Sequence, residues 1–274
     1  MLTHSDNFAE AWFELLATIH YNGASVSPRG FETLELIGMQ VRVDDMTKNI
    51  LVHPSRALSY KFLVSEWLWI AAGRDDVTSI SRYNKNIAQF SDNGVVFAGA
   101  YGPRIASQLP WAIEQLNKPD SRQAVIQIWT PRPSPSKDIP CTLTWQLLAR
   151  DGVLHAIVTM RSSDVWLGLP YDFFNFSQMT NSLAGELALA PGSLVFNLGS
   201  SHLYERDHAL AVQTLTQPDA LSVIRSPLLT GRTPANETLN HDDSLIMPWS
   251  AYRNVLLAKT NSAALAQLEV LGNE

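Results

Sequence analysis

Two apolar runs that alternate with period two, Thr142–Arg150 (TLTWQLLAR) and Val153–Arg161 (VLHAIVTMR), meet at Asp151-Gly152. Asp-Gly tolerates the positive φ angles of a two-residue turn, so this pattern predicts an antiparallel hairpin. With a loop of only 151–152, Arg150 faces Val153. Extending that register sets Cys141 opposite Ser162 and next to Arg161, and a bulge displaces it by one residue. Ahead of the hairpin, TPRPSPSKDIP (130–140) holds four prolines and must be a loop. The loop and hairpin together bring a lone thiol to a guanidinium and a hydroxyl.

Other segments follow from the same periodicities. Residues 5–20 predict an amphipathic helix capped by Ser5 and Asp6, with Phe8, Trp12, Leu15, Leu16 and Ile19 on one stripe. Residues 33–43 predict a strand. Leu34 and Leu36 share one parity and Met39, Val41 and Val43 the other, which suggests a bulge at Gly38. Residues 56–72 predict a helix that is apolar nearly all round, hence buried, ending at Gly73. Glu66 sits inside it, either on a thin exposed face or as a buried carboxylate that needs a partner. A strand is expected over 123–129. A tight turn at Gly168-Leu169-Pro170 leads to a helix over 173–189 that ends before Pro191-Gly192. A strand then runs from Ser193 through Tyr204, and beyond residue 215 short strands and loops end in a helix near 258–270.

Composition removes several classes. With 46% hydrophobic and 17% charged residues in 274, the chain is neither disordered nor a disulfide-stapled miniature. The longest apolar runs, such as Trp67–Ala72, fall far short of the roughly 20 residues that span a bilayer. The start, MLTHSDNF, has no basic or apolar signal segment. Twenty basic against 26 acidic residues, a net charge of −6, argue against a broad nucleic-acid surface but allow one small anionic ligand in a basic pocket. One cysteine forms no disulfide within the chain and fits a reducing, cytoplasmic setting. No zinc-ligand spacing, HExxH, GxGxxG or P-loop is present, so no metal is expected.

Cys141 has two readings: a small buried core residue, or a nucleophile whose pKa a neighbouring Arg161 lowers. Arg29, Arg122 and Arg161 each stand where a strand begins or ends. Each alone reads as a surface arginine, but together with Ser162 they have the chemistry of a phosphate cup.

The stretches DIPCTLTWQ (138–146), RSSDVWLGLPYD (161–172) and NLGSSHLY (197–204) resemble the thymidylate synthase superfamily. Arg29 before GMQVR, SEWLW around Glu66, GAYG around Tyr101 and PDSRQ around Arg122 extend the resemblance, in the family's order. It implies a single α/β (α+β) domain over 1–274, with a large, bent, mostly antiparallel or mixed sheet packed against its twin in a homodimer. It also implies roles. Cys141 matches the nucleophile that adds to C6 of a pyrimidine nucleotide, Glu66 the carboxylate that organises water and proton transfer, and Tyr101 the tyrosine associated with proton removal from C5. Arg29, Arg161 and Ser162 match phosphate-binding positions. Arg122 matches an arginine reached across from the partner subunit, although Gln123 stands where a second arginine is usual. His202 and Tyr204 match groups that hold a sugar hydroxyl. Asp164, which borders the nucleotide, also belongs with Leu167, Gly168 and Tyr171 at the position of the co-substrate, 5,10-methylenetetrahydrofolate.

Three departures separate the chain from thymidylate synthases. Asp172 replaces the asparagine that reads uracil, and a carboxyl suits the amino edge of cytosine; the plainer alternative is that Asp172 caps the next helix. Thr142 replaces a histidine, which brings CTLTWQ and NLGSSHLY closer to the phage-type deoxycytidylate hydroxymethylases. SRYNKNIAQFSDNG (81–94) lacks the family's tryptophans, and LEVLGNE lacks its closing tail; both changes admit water. The expected reaction is hydroxymethylation of dCMP. The alternatives are methylation of dUMP, the same hydroxymethylation of CMP, or an inactive nucleotide-binding homologue.

Overall fold

The computed structural model describes residues 1–131, 135–229 and 250–273. It opens with strand β1 (Leu2–Ser5) and helix α1 (Phe8–Asn22). Ser5 therefore belongs to a strand, and the helix cap is Asn7, whose side chain accepts from the Glu10 N–H. The five stripe residues of α1 are fully buried as expected. Strands β2 (Ala24–Val26), β3 (Thr33–Val43) and β4 (Lys48–Val52) follow. Helix α2 (Tyr60–Ala71) begins four residues later than residue 56, because Ser59 accepts from the Phe62 N–H and caps it there. It stops before Gly73, at φ +69°. Next come α3 (Val77–Ile80), α4 (Tyr101–Leu116) and β5 (Val125–Gln127), the last shorter than the 123–129 expected.

The predicted hairpin is β6 (Thr142–Arg150) and β7 (Val153–Asp164). Its turn residues, Asp151 and Gly152, have φ +49° and +77°, the left-handed pair that a type I′ turn requires. Arg150 faces Val153, and the register holds to the pair Thr144–Thr159. A bulge between Thr142 and Thr144 then shifts it by one, to Thr142–Met160. Cys141 therefore meets Arg161 rather than Ser162, and the Arg161 N–H donates to the Cys141 carbonyl at 2.9 Å.

Helix α5 (Leu169–Glu186) starts at the Gly168 turn and ends earlier than residue 189, so Pro191 and Gly192 fall inside strand β8 (Ala190–Tyr204). The remaining elements are α6 (His208–Leu215), β9 (Ser222–Arg225), α7 (Ser250–Leu257) and α8 (Asn261–Gly272). Of the pattern expected beyond residue 215, the part at 230–249 lies outside the described residues.

Strands run β1-β3-β8-β7-β6-β5 in one mixed sheet, with β2 also on β3; β4 and β9 form a separate pair. The pairs β1–β3 and β7–β8 are parallel and the others antiparallel. An aromatic column joins the helices to one sheet face. Phe8 of α1 stacks on Phe173 of α5 at 4.1 Å, and Phe173 lies 5.6 Å from Phe196 of β8. Phe176 meets both Trp145 and Phe196 edge-on.

The expected bulge at Gly38 is absent in that form. Ile37 pairs with Ser200 and Met39 with Leu198, so no residue is inserted. Instead Gly38, at φ +72°, lies across from Gly199, which lies beside Arg161 on the next strand. The strands change their buried parity along this line: β8 buries Leu194, Phe196 and Leu198 before it and Ser201 and Leu203 after it. β7 likewise passes from burying Val158 and Met160 to burying Ser163. A kink shared by three strands ends at the β6 bulge, beside Cys141.

Candidate active site

Cys141 leaves the proline-rich loop at the end of that kink line. Arg161 donates from Nε to the Pro140 carbonyl (3.0 Å) and from Nη2 to that of Ile139 (3.1 Å), which leaves Nη2 3.8 Å from Cys141 Sγ. The loop thus pins the guanidinium beside the sulfur. The expected lowering of the thiol pKa does not win, however. Burial pushes the thiol up and the charge of Asp172 adds to this, against Arg161 and Arg29. Arg29 sits in a turn at φ +57°, a left-handed conformation that a non-glycine residue adopts at some cost.

Around the sulfur stand three further ionisable groups. Tyr101, first residue of α4, accepts from Thr142 Oγ1 (3.1 Å) and the Thr142 N–H (3.3 Å). Burial raises its phenol well above the ordinary value, and Asp172 and Cys141 add to the shift. Asp172 is not the cap of α5; the cap is Gly168, and Asp172 lies in the first turn. Burial raises its carboxyl well above the ordinary range, with Glu66 and Asp164 contributing. Glu66 is half-buried, with its carboxylate turned away from solvent rather than exposed. Desolvation lifts its pKa to about 7, opposed by Asn175, whose Nδ2 donates to Oε2 at 2.9 Å. Asp172 thus lies near Cys141 and Tyr101 on one side and near Glu66 on the other.

Asp164, at the end of β7, accepts the N–H groups of Trp166 and Leu167 on Oδ1, both at 2.9 Å. Its other oxygen lies 3.8 Å from the Arg206 guanidinium. Leu167 is 42% exposed, so its side chain is available to a ligand. The Gly168 N–H donates to the Asp164 carbonyl, and the Tyr171 hydroxyl accepts from the Ser59 N–H at 2.9 Å. Asp164 is thus a carboxylate oriented by two backbone donors, next to the exposed side chain of Leu167. His202 and Tyr204 meet edge-on at 5.1 Å on β8. Ser162 pairs with Ser200 and Asp164 with His202 in the β7–β8 register. Arg122 is the exception among the expected residues. It is exposed, and its side chain has no hydrogen bond or ion pair to this cluster among the described residues.

Three contributors escaped the sequence. Arg56 donates from Nε to the Trp166 carbonyl at 2.6 Å and lies over the rings of Trp166 and Tyr171. Arg206 lies 4.4 Å from the Tyr204 ring centre while reaching Asp164. Asn175 holds Glu66; its position three residues after Asp172, one turn along the same helix face, was the available signal.

The thymidylate synthase family model matches residues 10–227, a span that includes every residue of this cluster, and the chain belongs to that family. It is 30% identical over 224 residues to the deoxyuridylate hydroxymethyltransferase of Bacillus phage SP01. That alignment covers 74% of this chain and 58% of the phage protein, so the chain spans less than two thirds of its relative's length.

Proposed function

We propose that the protein transfers a one-carbon unit to C5 of a pyrimidine nucleotide, that the nucleotide is dCMP, and that the product is 5-hydroxymethyl-dCMP. The observation that carries the choice of base is Asp172, a desolvated carboxyl whose pKa is raised well above the ordinary range, which favours its protonated form, and which lies near enough to Cys141 to act on its thiol when ionised. Cytosine offers an amino donor beside a bare N3. A protonated carboxyl matches both, accepting from the amino group and donating to N3.

In this reading Arg29, Arg161, Ser162 and the partner subunit's copy of Arg122 hold the phosphate, and His202 and Tyr204 hold the sugar. Asp164, Leu167, Gly168 and Tyr171 hold methylenetetrahydrofolate, which supplies the carbon at the oxidation level of formaldehyde. The Cys141 thiol gives up its proton and its sulfur adds to C6, and the C5–C6 electron pair shifts to C5. C5 bonds to the methylene carbon as one of that carbon's bonds to nitrogen breaks; loss of the C5 proton then expels tetrahydrofolate and leaves an exocyclic methylene. Asp172 shares its proton with N3 while the ring is saturated. Tyr101 faces the C5 proton as it leaves, and Glu66 orders the water that adds to the exocyclic carbon. Departure of the sulfur from C6 then restores the ring. The tryptophan-free segment 81–94 supports a hydrated site and hence hydroxymethyl rather than methyl.

A second reading, hydroxymethylation of dUMP, is favoured by the name of the phage relative. A protonated Asp172 can also serve uracil, donating to O4 and accepting from N3–H. An ionised Asp172 would accept one hydrogen bond from either base, from N3–H of uracil or the amino group of cytosine, and face a lone pair at the other position, so the bases are separated by their products rather than by pH. The deciding experiment is the product mass from each nucleotide. Addition of the elements CH2O to dCMP supports the proposal, addition of CH2 to dUMP indicates a methylase, and reaction with dUMP alone overturns the choice of base.

A further inference from the structure

The β3–β8 pairing brings another carboxylate to the sugar end of the site. Glu35 faces His202 in the register, with Ser200 two residues away on the same side of β8. The Ser200 hydroxyl donates to Glu35 Oε1 at 2.5 Å, and Ser200 Oγ lies 3.4 Å from His202 Nδ1. A hydroxyl carries one proton, and a carboxylate only accepts. With that proton directed to Glu35, Ser200 Oγ can meet Nδ1 only as an acceptor. The charged groups acting on the ring are Asp164 and Glu35, which favour its protonation, and Arg29 and Arg161, which oppose it; the Tyr204 ring stands edge-on to it. Burial outweighs the two acids and lowers the imidazole pKa, so the ring carries a single proton at neutral pH.

We propose that Glu35 is a positioning residue: through Ser200 it fixes His202 as the Nδ1–H tautomer, so that Nε2 accepts a hydrogen bond from a sugar hydroxyl of the nucleotide. The tautomer follows from the geometry alone, whereas the ligand rests on the nucleotide reading above. The relay is a property of this chain's own residues. Nothing in the motif around His202 calls for an acid on the neighbouring strand, and the sequence shows Glu35 only as one polar residue in a strand.

The test is a long-range 15N–1H correlation spectrum of the histidine rings in the full-length protein, with His202 assigned by its loss in His202→Asn. The proposal expects the Nδ1–H pattern in the unmodified protein. Ser200→Ala and Glu35→Ala should convert it to the Nε2–H or a mixed pattern, and Ser200→Thr, which keeps the hydroxyl, should preserve it. An Nε2–H pattern in the unmodified protein overturns the proposal, as does an Nδ1–H pattern that survives both disruptive substitutions. Equilibrium binding of dCMP and of 2′,3′-dideoxycytidine monophosphate tests the ligand. Glu35→Ala should weaken dCMP roughly tenfold, the worth of one hydrogen bond, and leave the dideoxy nucleotide unchanged. Equal weakening of both overturns the sugar contact. An unmodified protein that binds neither these nor dUMP ends the nucleotide reading and the sugar half with it, and the ring spectrum still decides the tautomer.

Discussion

Glu66 holds its proton to about pH 7 because α2 and α5 remove its water and Asn175 restores only part of what is lost. The folded protein thus binds this proton more tightly than the unfolded chain, whose glutamate titrates near 4.5. Stability from this group is fully present below that value, falls as pH rises toward about 7, and is level above it. Glu66→Gln should therefore raise Tm at pH 8 and leave it nearly unchanged at pH 4, while activity is lost. The gain at pH 8 is at most about 3 kcal/mol. Asn175→Leu removes the N–H that favours the ionised form. The acid limb of its kcat profile should move toward alkaline pH by about one unit, and an unmoved limb would separate Asn175 from the chemistry. The charged and polar groups nearest Glu66 on α5 are Tyr171, Asp172 and Asn175, so Asp172→Asn is the control for a limb that belongs to Asp172.

Kinks and turns are where the strands and helices take over. Gly152 has open space around its missing Cβ, so Gly152→Ala meets only the strain of φ +77°; it should cost about 1 kcal/mol and leave kcat intact. A Cβ on Gly199 would stand 2.8 Å from the Arg161 carbonyl oxygen. Gly199→Ala should cost about 1–3 kcal/mol and also lower kcat, because the displaced strand carries the guanidinium beside Cys141; thermal unfolding and steady-state rates on both variants check this. Local features of this kind were legible in advance. Asp151-Gly152 announced its turn, the α1 stripe announced its buried face, and the parity change at Gly38 announced that the strand turns over there. What the chain could not announce is how neighbouring strands answer. The β6 bulge that brings Cys141 to Arg161, the Gly38–Gly199 alignment and the β1–β3 pairing depend on contacts between segments far apart in sequence. Arg56 was misplaced for the same reason as the start of α2, since nothing local separates an apolar helix from the apolar turn before it.

At the scale of the molecule, the sheet face turned away from α1 and α5 carries Gln40, bonded to Asn197 at 2.7 Å, with His155, Thr159 and Gln146. If this face meets a second copy and Arg122 crosses to the neighbouring phosphate site, two inactive variants should repair each other. Mixing Arg122→Ala with Cys141→Ser under conditions that exchange subunits should restore about a quarter of normal activity, the share of intact sites after random pairing. A mixture that stays inactive after exchange places Arg122 outside the site. The balance around Cys141 also governs how the protein endures. Its sulfur is shielded and held as the neutral thiol, with its two arginines outweighed by desolvation and a nearby acid. Peroxides and alkylating agents attack the thiolate far faster than the thiol, so a protein stored without nucleotide should keep its reactive atom intact and become vulnerable only when it is put to work.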